Sequence, residues 1–165
     1  MIVVADASVL IGLSAIRQLA LLHERFPQGV LIPPAVRREV VDQGGSRPGA
    51  QEVEAADWIS VQPLKLSAIK QLLSADLEEG EAEAIALAHE LGADIILLDE
   101  RDGRKAAGLL GFSALGTIGI LIWARQNGRL SRLDVVLDAL QEVGGFRISR
   151  SLYEQALQAV GEKPE

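Results

Sequence analysis

The sequence predicts an α/β layer fold built on a parallel sheet. Short apolar runs rich in β-branched residues alternate with segments whose apolar residues recur at helical spacing. Three of the runs, Ile2 to Val4, Val30 to Ile32 and Ile95 to Leu98, are apolar at every position rather than at every second one, which suits strands covered on both faces. At 165 residues and 48% hydrophobic content, the chain has the size and apolar supply of one domain with a real core. A single domain over 1–165 is expected, since no repeat, low-complexity tract or linker interrupts the pattern.

Ile2-Val3-Val4 reads as a buried strand ending at Asp6. Helical spacing follows in Val9, Leu10, Leu13 and Ile16, then in Leu19, Leu22 and Phe26. Val30-Leu31-Ile32 is a second strand, stopped by Pro33-Pro34. Pro34 suits a first helical turn, where its missing N–H has no partner to lose, and that helix runs through Val36 and Val40 to Gly44-Gly45. Gly44 to Gly49 is a loop and Trp58 to Val61 a short strand. Leu66–Leu73 and Glu79–Leu91 are helical, and Ile95-Ile96-Leu97-Leu98 is a buried strand ending at Asp99. A helix from about Arg101 to Leu110 leads to a last strand at Gly111-Phe112-Ser113. Three helices close the chain: Leu115–Gln126, Leu133–Val143 and Leu152–Val160.

The composition excludes several functions. With no Cys, disulfides, thiolate metal sites and cysteine nucleophiles are out. No apolar run approaches the ~20 residues of a membrane span, and Met1 to Asp6 lacks the basic start of a signal peptide, so a cytoplasmic location is expected. Against 16 Lys+Arg stand 23 Asp+Glu, a net charge of −7, which argues against binding nucleic acid by bulk charge.

The acids are more informative than their sum. Two apolar strands end in a carboxylate, Asp6 and Asp99; if the strands are parallel neighbours, both emerge at the carboxyl edge, where α/β sheets bind ligands. Each could equally cap the helix that follows it. Glu81 shares a helical face with Ile85, Ala88 and Gly92 and so continues a buried stripe. A buried acid must be paired, protonated or bound to a metal, so an Arg partner is the alternative there. Glu83 is about 200° away and is expected to face water or the flank. Glu39 flanks Val36 and Val40 beside Arg37 and Arg38, where surface ion pairing is the alternative. Four converging carboxylates would bind a hard divalent cation such as Mg²⁺ or Mn²⁺.

These residues resemble the motifs of the PIN-domain family of metal-dependent nucleases, over nearly the whole chain. Val3-Val4-Ala5-Asp6-Ala7-Ser8-Val9-Leu10-Ile11 looks like the first motif, with the metal-binding Asp at Asp6 and the hydroxyl residue at Ser8. Ile32-Pro33-Pro34-Ala35-Val36-Arg37-Arg38-Glu39-Val40 looks like the second, with its Glu at Glu39. The stretch from Gly80-Glu81 to Ala88 is similar to the third-acid helix, and Gly92 with Ile95 to Asp99 to the strand bearing the fourth acid. The third acid is Glu where many members have Asp, and Leu97 stands where many have Thr or Ser. Arg101-Asp102-Gly103-Arg104-Lys105 and Gly116-Thr117-Ile118-Gly119 look like a subgroup related to toxins of toxin–antitoxin pairs.

The resemblance implies a three-layer α/β/α sandwich with a short central parallel sheet. It also implies a Mg²⁺- or Mn²⁺-dependent endonuclease acting on single-stranded RNA, with Asp6, Glu39, Glu81 and Asp99 as metal ligands. Ser8 and Asp102 are accessory candidates; Arg101, Arg104 and Lys105 are candidate contacts to substrate phosphates. An antitoxin partner and a homodimer are further implications. Two other readings stay open from sequence: a non-catalytic interaction protein, and a receiver-like phosphoacceptor domain suggested by the run Asp94 to Asp99.

Overall fold

The computed structural model describes residues 1–65 and 68–163. Five short strands form one all-parallel sheet: β1 (Val3–Ala5), β2 (Val30–Ile32), β3 (Ile59–Val61), β4 (Ile95–Leu97) and β5 (Ser113–Leu115), in the order β3-β2-β1-β4-β5. Side chains of a strand alternate between faces, and the core follows that period. Val3, Ala5 and Leu97 pack into one apolar cluster, whereas Val4, Ile96 and Leu98 pack into another.

Helices supply both clusters. On one face lie α1 (Ala7–Ala15), α2 (Ala20–Arg25), α8 (Thr117–Gln126), α9 (Leu133–Glu142) and α10 (Arg150–Ala159), through residues such as Leu10, Leu22, Leu121, Leu137 and Leu157. On the other lie α6 (Glu79–Leu91) and α7 (Arg101–Leu109), through Ala84, Ile85, Leu87, Ala88 and Ala107. The result is the expected three-layer α/β/α sandwich. None of the helices in the described residues is long and apolar enough to cross a membrane.

Several elements depart from the sequence reading. The helix opened by Pro34 is α-helical only over α3 (Pro34–Arg37) and then widens into a π-helical turn, Arg38–Asp42. The N–H of Gln43 donates to the carbonyl of Arg38, five residues back, at 2.7 Å. A helix not anticipated from sequence, α4 (Ala50–Ala55), follows the loop. The next helix, α5, spans Ala68–Leu73; the expected start at Leu66 lies outside the described residues. The last strand is shifted by two residues, so Leu115 ends β5 instead of opening α8. Two short apolar stretches meeting at Gly116 have no periodicity to separate them.

The largest correction concerns Glu83. Of the two expected settings, water or the flank, it takes the flank and is buried there, 4% exposed. Its Oε1 accepts from the N–H of Ala35 at 3.1 Å, and its Oε2 from Lys70 Nζ at 2.6 Å. The Ala35 N–H belongs to the first turn of α3, where no helical partner exists. One carboxylate thus joins α3, α5 and α6. Glu83→Ala should lower stability by about 1–3 kcal/mol, because it strands a buried donor. Glu83→Gln, which keeps an acceptor for Ala35, should cost less. Urea unfolding of both variants measures the difference, and equal losses would contradict it.

Candidate functional site

Strand β1 sits in the middle of the sheet, with β2 and β4 on either side. The chain fills one side first and the other afterwards, so the gap beyond β1 and β4 is the place where strand order reverses. Asp6 and Asp99 leave these two strands at the same edge. The ladder pairs Ala5 with Leu97, and the N–H of Asp6 donates to the Leu97 carbonyl at 2.9 Å.

Asp6 occupies the N-cap position of α1, yet its carboxylate makes no capping hydrogen bond. It is 4% exposed and accepts from Ser8 Oγ at 3.4 Å. Asp99 does not cap α7, whose N-cap is Glu100. It turns instead to α8: Oδ1 accepts from the N–H of Thr117 and Oδ2 from Thr117 Oγ1, both at 2.7 Å. Two glycines make room for the acids. A methyl group on Gly116 would stand 2.8 Å from Asp99 Oδ1, and one on Gly103 would stand 2.7 Å from Glu81 Oε2.

Asp6, Glu39 and Glu81 line one cavity of 280 Å³, together with Ser8, Glu78 and Glu100. Asp99 lines an adjoining cavity that shares Ser8, Ile11 and Glu100 with the first. Glu39 reaches the site from the π-helical turn. Its expected neighbour Arg38 pairs with Glu79 instead, outside this cavity. Among the described residues Glu81 has no Arg partner: it is 8% exposed, and its buried Oε2 has no hydrogen-bond partner there. Among the described residues, no group of three or more Asp, Glu or His side chains is set to hold a metal ion as the side chains stand.

The electrostatics follow from this crowding. Burial, then repulsion from Asp6, Glu100 and Glu78, pushes Glu81 up to about 7. Burial raises Asp6 to about 6, with Glu39 and Asp99 adding to the rise and the Ala7 N–H and Ser8 hydroxyl opposing it. Burial and Glu78 raise Glu39, while Arg47 opposes. Asp99 is raised by burial, against the Thr117 donors and Arg104. All four carboxylates therefore share one predicament: they are desolvated together with too little positive charge. Oxygen donors in that state suit a hard divalent cation, and the unpartnered oxygen of Glu81 is the clearest vacancy in their bonding.

The other predicted residues are dispersed. Arg101 and Arg104 line the larger cavity beside Asp99. Arg104 is already engaged, donating from Nη1 to the Leu98 carbonyl at 3.0 Å and from Nη2 to that of Ala114 at 3.4 Å. Asp102 and Lys105 line a separate cavity with Leu72, Leu73 and Leu109, apart from the acids. Sequence reasoning missed three residues. Thr117 is fully buried and holds Asp99; its signal was a hydroxyl at the start of a helix directly after a strand end. Glu78 stands three residues before Glu81 and so on its face, and Glu100 directly follows Asp99.

The comparison with protein families agrees with this geometry. A family model described as PIN domain matches residues 2–162, nearly the full chain. No curated protein matches the sequence. With the five-stranded parallel sheet between its two helical layers, the chain belongs to the PIN-domain family, a nuclease-type fold.

Proposed function

We propose that this protein is a metal-dependent endonuclease that hydrolyses phosphodiester bonds in single-stranded RNA. The observation that carries the reading is the buried Oε2 of Glu81, which has no hydrogen-bond partner among the described residues and lies in one cavity with Asp6 and Glu39. Asp6, Glu39, Glu81 and Asp99 would hold Mg²⁺ or Mn²⁺. When bound, such an ion activates water at neutral pH and offsets the charge that builds on phosphorus during attack. The carboxylates supply the negative charge that draws the ion in. Thr117 fixes both oxygens of Asp99, and each oxygen keeps a lone pair for a further contact. Ser8, between the two cavities, orients Asp6.

A toxin role, an antitoxin partner, a homodimer and a cytoplasmic location are the finer parts of this proposal, and they rest on the resemblance to the toxin-related subgroup. A non-catalytic interaction protein is the second reading. It is favoured by the absence, among the described residues, of three acids set to hold an ion.

Purified protein should cleave single-stranded RNA with Mg²⁺ or Mn²⁺ and not with EDTA, and Asp6→Asn or Asp99→Asn should lower the rate at least ~100-fold. Cleavage that survives both substitutions would sink the assignment.

Thr117→Val should loosen Asp99 and weaken Mn²⁺ binding about 10- to 100-fold, with Thr117→Ser restoring it. Manganese titration followed by electron paramagnetic resonance reads this directly. If valine and serine behave alike, the hydroxyl has no such role.

The raised carboxylates also predict a pH dependence. Because Asp6 and Glu81 titrate near 6 and 7 when folded, the folded chain holds more protons than the unfolded chain between about pH 4 and 7. Stability should therefore fall as pH rises through that window. Glu81→Gln should raise the melting temperature by roughly 2–8 °C at about pH 7.5, with little change at about pH 5. A metal-free protein whose melting temperature is flat across the window, and indifferent to the substitution, would refute it.

A further inference from the structure

The cavity that receives Asp99 extends well beyond the acids. It has a volume of 880 Å³, three times that of the acidic cavity it adjoins. At one end it shares Ser8 and Glu100 with the proposed metal site. From there it is lined by the start of α7, through Arg101, by the first turns of α8, and by the segment joining α9 to α10, through Phe146 and Arg147.

Arg101 and Arg147 are both exposed, and neither guanidinium group makes a hydrogen bond or ion pair among the described residues. In a chain of net charge −7, two unpaired guanidinium groups on one groove call for an anionic occupant. Phe146 is half-buried and anchored: a methyl on Gly12 of α1 would lie 2.7 Å from its Cε1. A fixed aromatic ring among apolar side chains suits an unstacked base, whose face is free in a single strand and covered in a duplex.

We infer that this groove is the track for the single-stranded substrate, with Arg101 and Arg147 holding successive phosphates and Phe146 acting as a platform for a base. The inference rests on the nuclease reading for where the strand is cut, but its supporting residues lie outside the acidic cluster. Phe146 and Arg147 are positioning residues for the strand, away from the reacting bond.

The test is binding, measured on the full chain by fluorescence anisotropy. The probe is a fluorescein-labelled mixed-sequence RNA strand of about 12 nucleotides, with Ca²⁺ in place of Mg²⁺, over a range of KCl. Cleavage of the same strand with Mn²⁺ is followed in parallel. Arg101→Ala and Arg147→Ala should each weaken binding roughly 5- to 10-fold and flatten the slope of log K against log salt by about 0.7, one lost phosphate contact on a single strand. Arg147→Lys should keep the slope. Phe146→Leu, which preserves an apolar plug against Gly12, should weaken binding at least ~5-fold without changing the slope. The annealed duplex should compete poorly.

Wild-type protein that does not bind the strand overturns the proposal and leaves the groove to a protein partner. So does binding unchanged in affinity and salt slope by both arginine substitutions, or a duplex that competes as well as the single strand. Unaltered binding in the variants alongside metal-dependent cleavage removes the groove and leaves the nuclease reading standing. Strand binding with the predicted variant effects, but no cleavage, keeps the groove and removes the nuclease reading.

Discussion

The parallel pairing of β1 with β4 sets the geometry on which the site depends. Because β1 is central and the chain fills its two sides in turn, the crossover helices leave a crevice beyond these two strands. Asp6 directly follows β1, and Asp99 follows β4 after Leu98. Once both carboxylates stand at that edge, the remaining acids need only come from elements that already cover it. Helix α6 packs on the β1 face through Ile85 and Ala88, which carries Glu81 to the crevice. Segment α3 is tied to α6 through Glu83, which carries Glu39 there from the adjoining π-helical turn.

Glu81 and Glu83 show how context divides two like residues on one helix. Both are buried. Glu83 has a backbone N–H and a lysine, so its charge is compensated and it acts as a joint between helices. Glu81 has an oxygen with no partner among the described residues, and burial, with three acidic neighbours adding to it, holds its proton up to about 7. A fold selected only for stability would neutralise such a position with an amide or an apolar side chain. Keeping an ionisable group there stores repulsion that the proposed cation would relieve, a common way for a binding site to differ from a structural one.

Much of this was legible in the sequence, and the failures have physical causes. The three inner strands were visible because burial on both faces makes them apolar throughout, as in Ile95 to Leu98, whereas the edge strands β3 and β5 carry serines and are more exposed. Asp6 and Asp99 were visible as strand-end acids. The ambiguity of helical spacing hid Glu83: at 200° from Glu81 it points off the apolar stripe, and only the packing of α3 and α5 over that flank buries it. The capping alternative for Asp99 was right in kind and wrong in place, because the helix it engages, α8, is distant in sequence and adjacent only through the β4–β5 pairing. Helix α4 carries just six residues, too few to show a period.

The charge of the chain is read differently once the site is placed. Residues 1–124 hold 10 basic and 17 acidic side chains, whereas residues 125–165 hold 6 of each. The whole excess lies in the part that carries the acidic cavity, where density of carboxylates is what a divalent cation requires. The balanced remainder contributes Arg147 to the groove. Net acidity therefore excludes binding by bulk charge and nothing narrower. On the proposed reading, a phosphodiester chain would meet two local fields here, the acidic cavity at one end and the guanidinium groups of Arg101 and Arg147 along the adjoining wall. Phosphates at the cavity would be held through the ion and those beyond it by arginine, so affinity is expected to be modest and strongly dependent on both metal and salt.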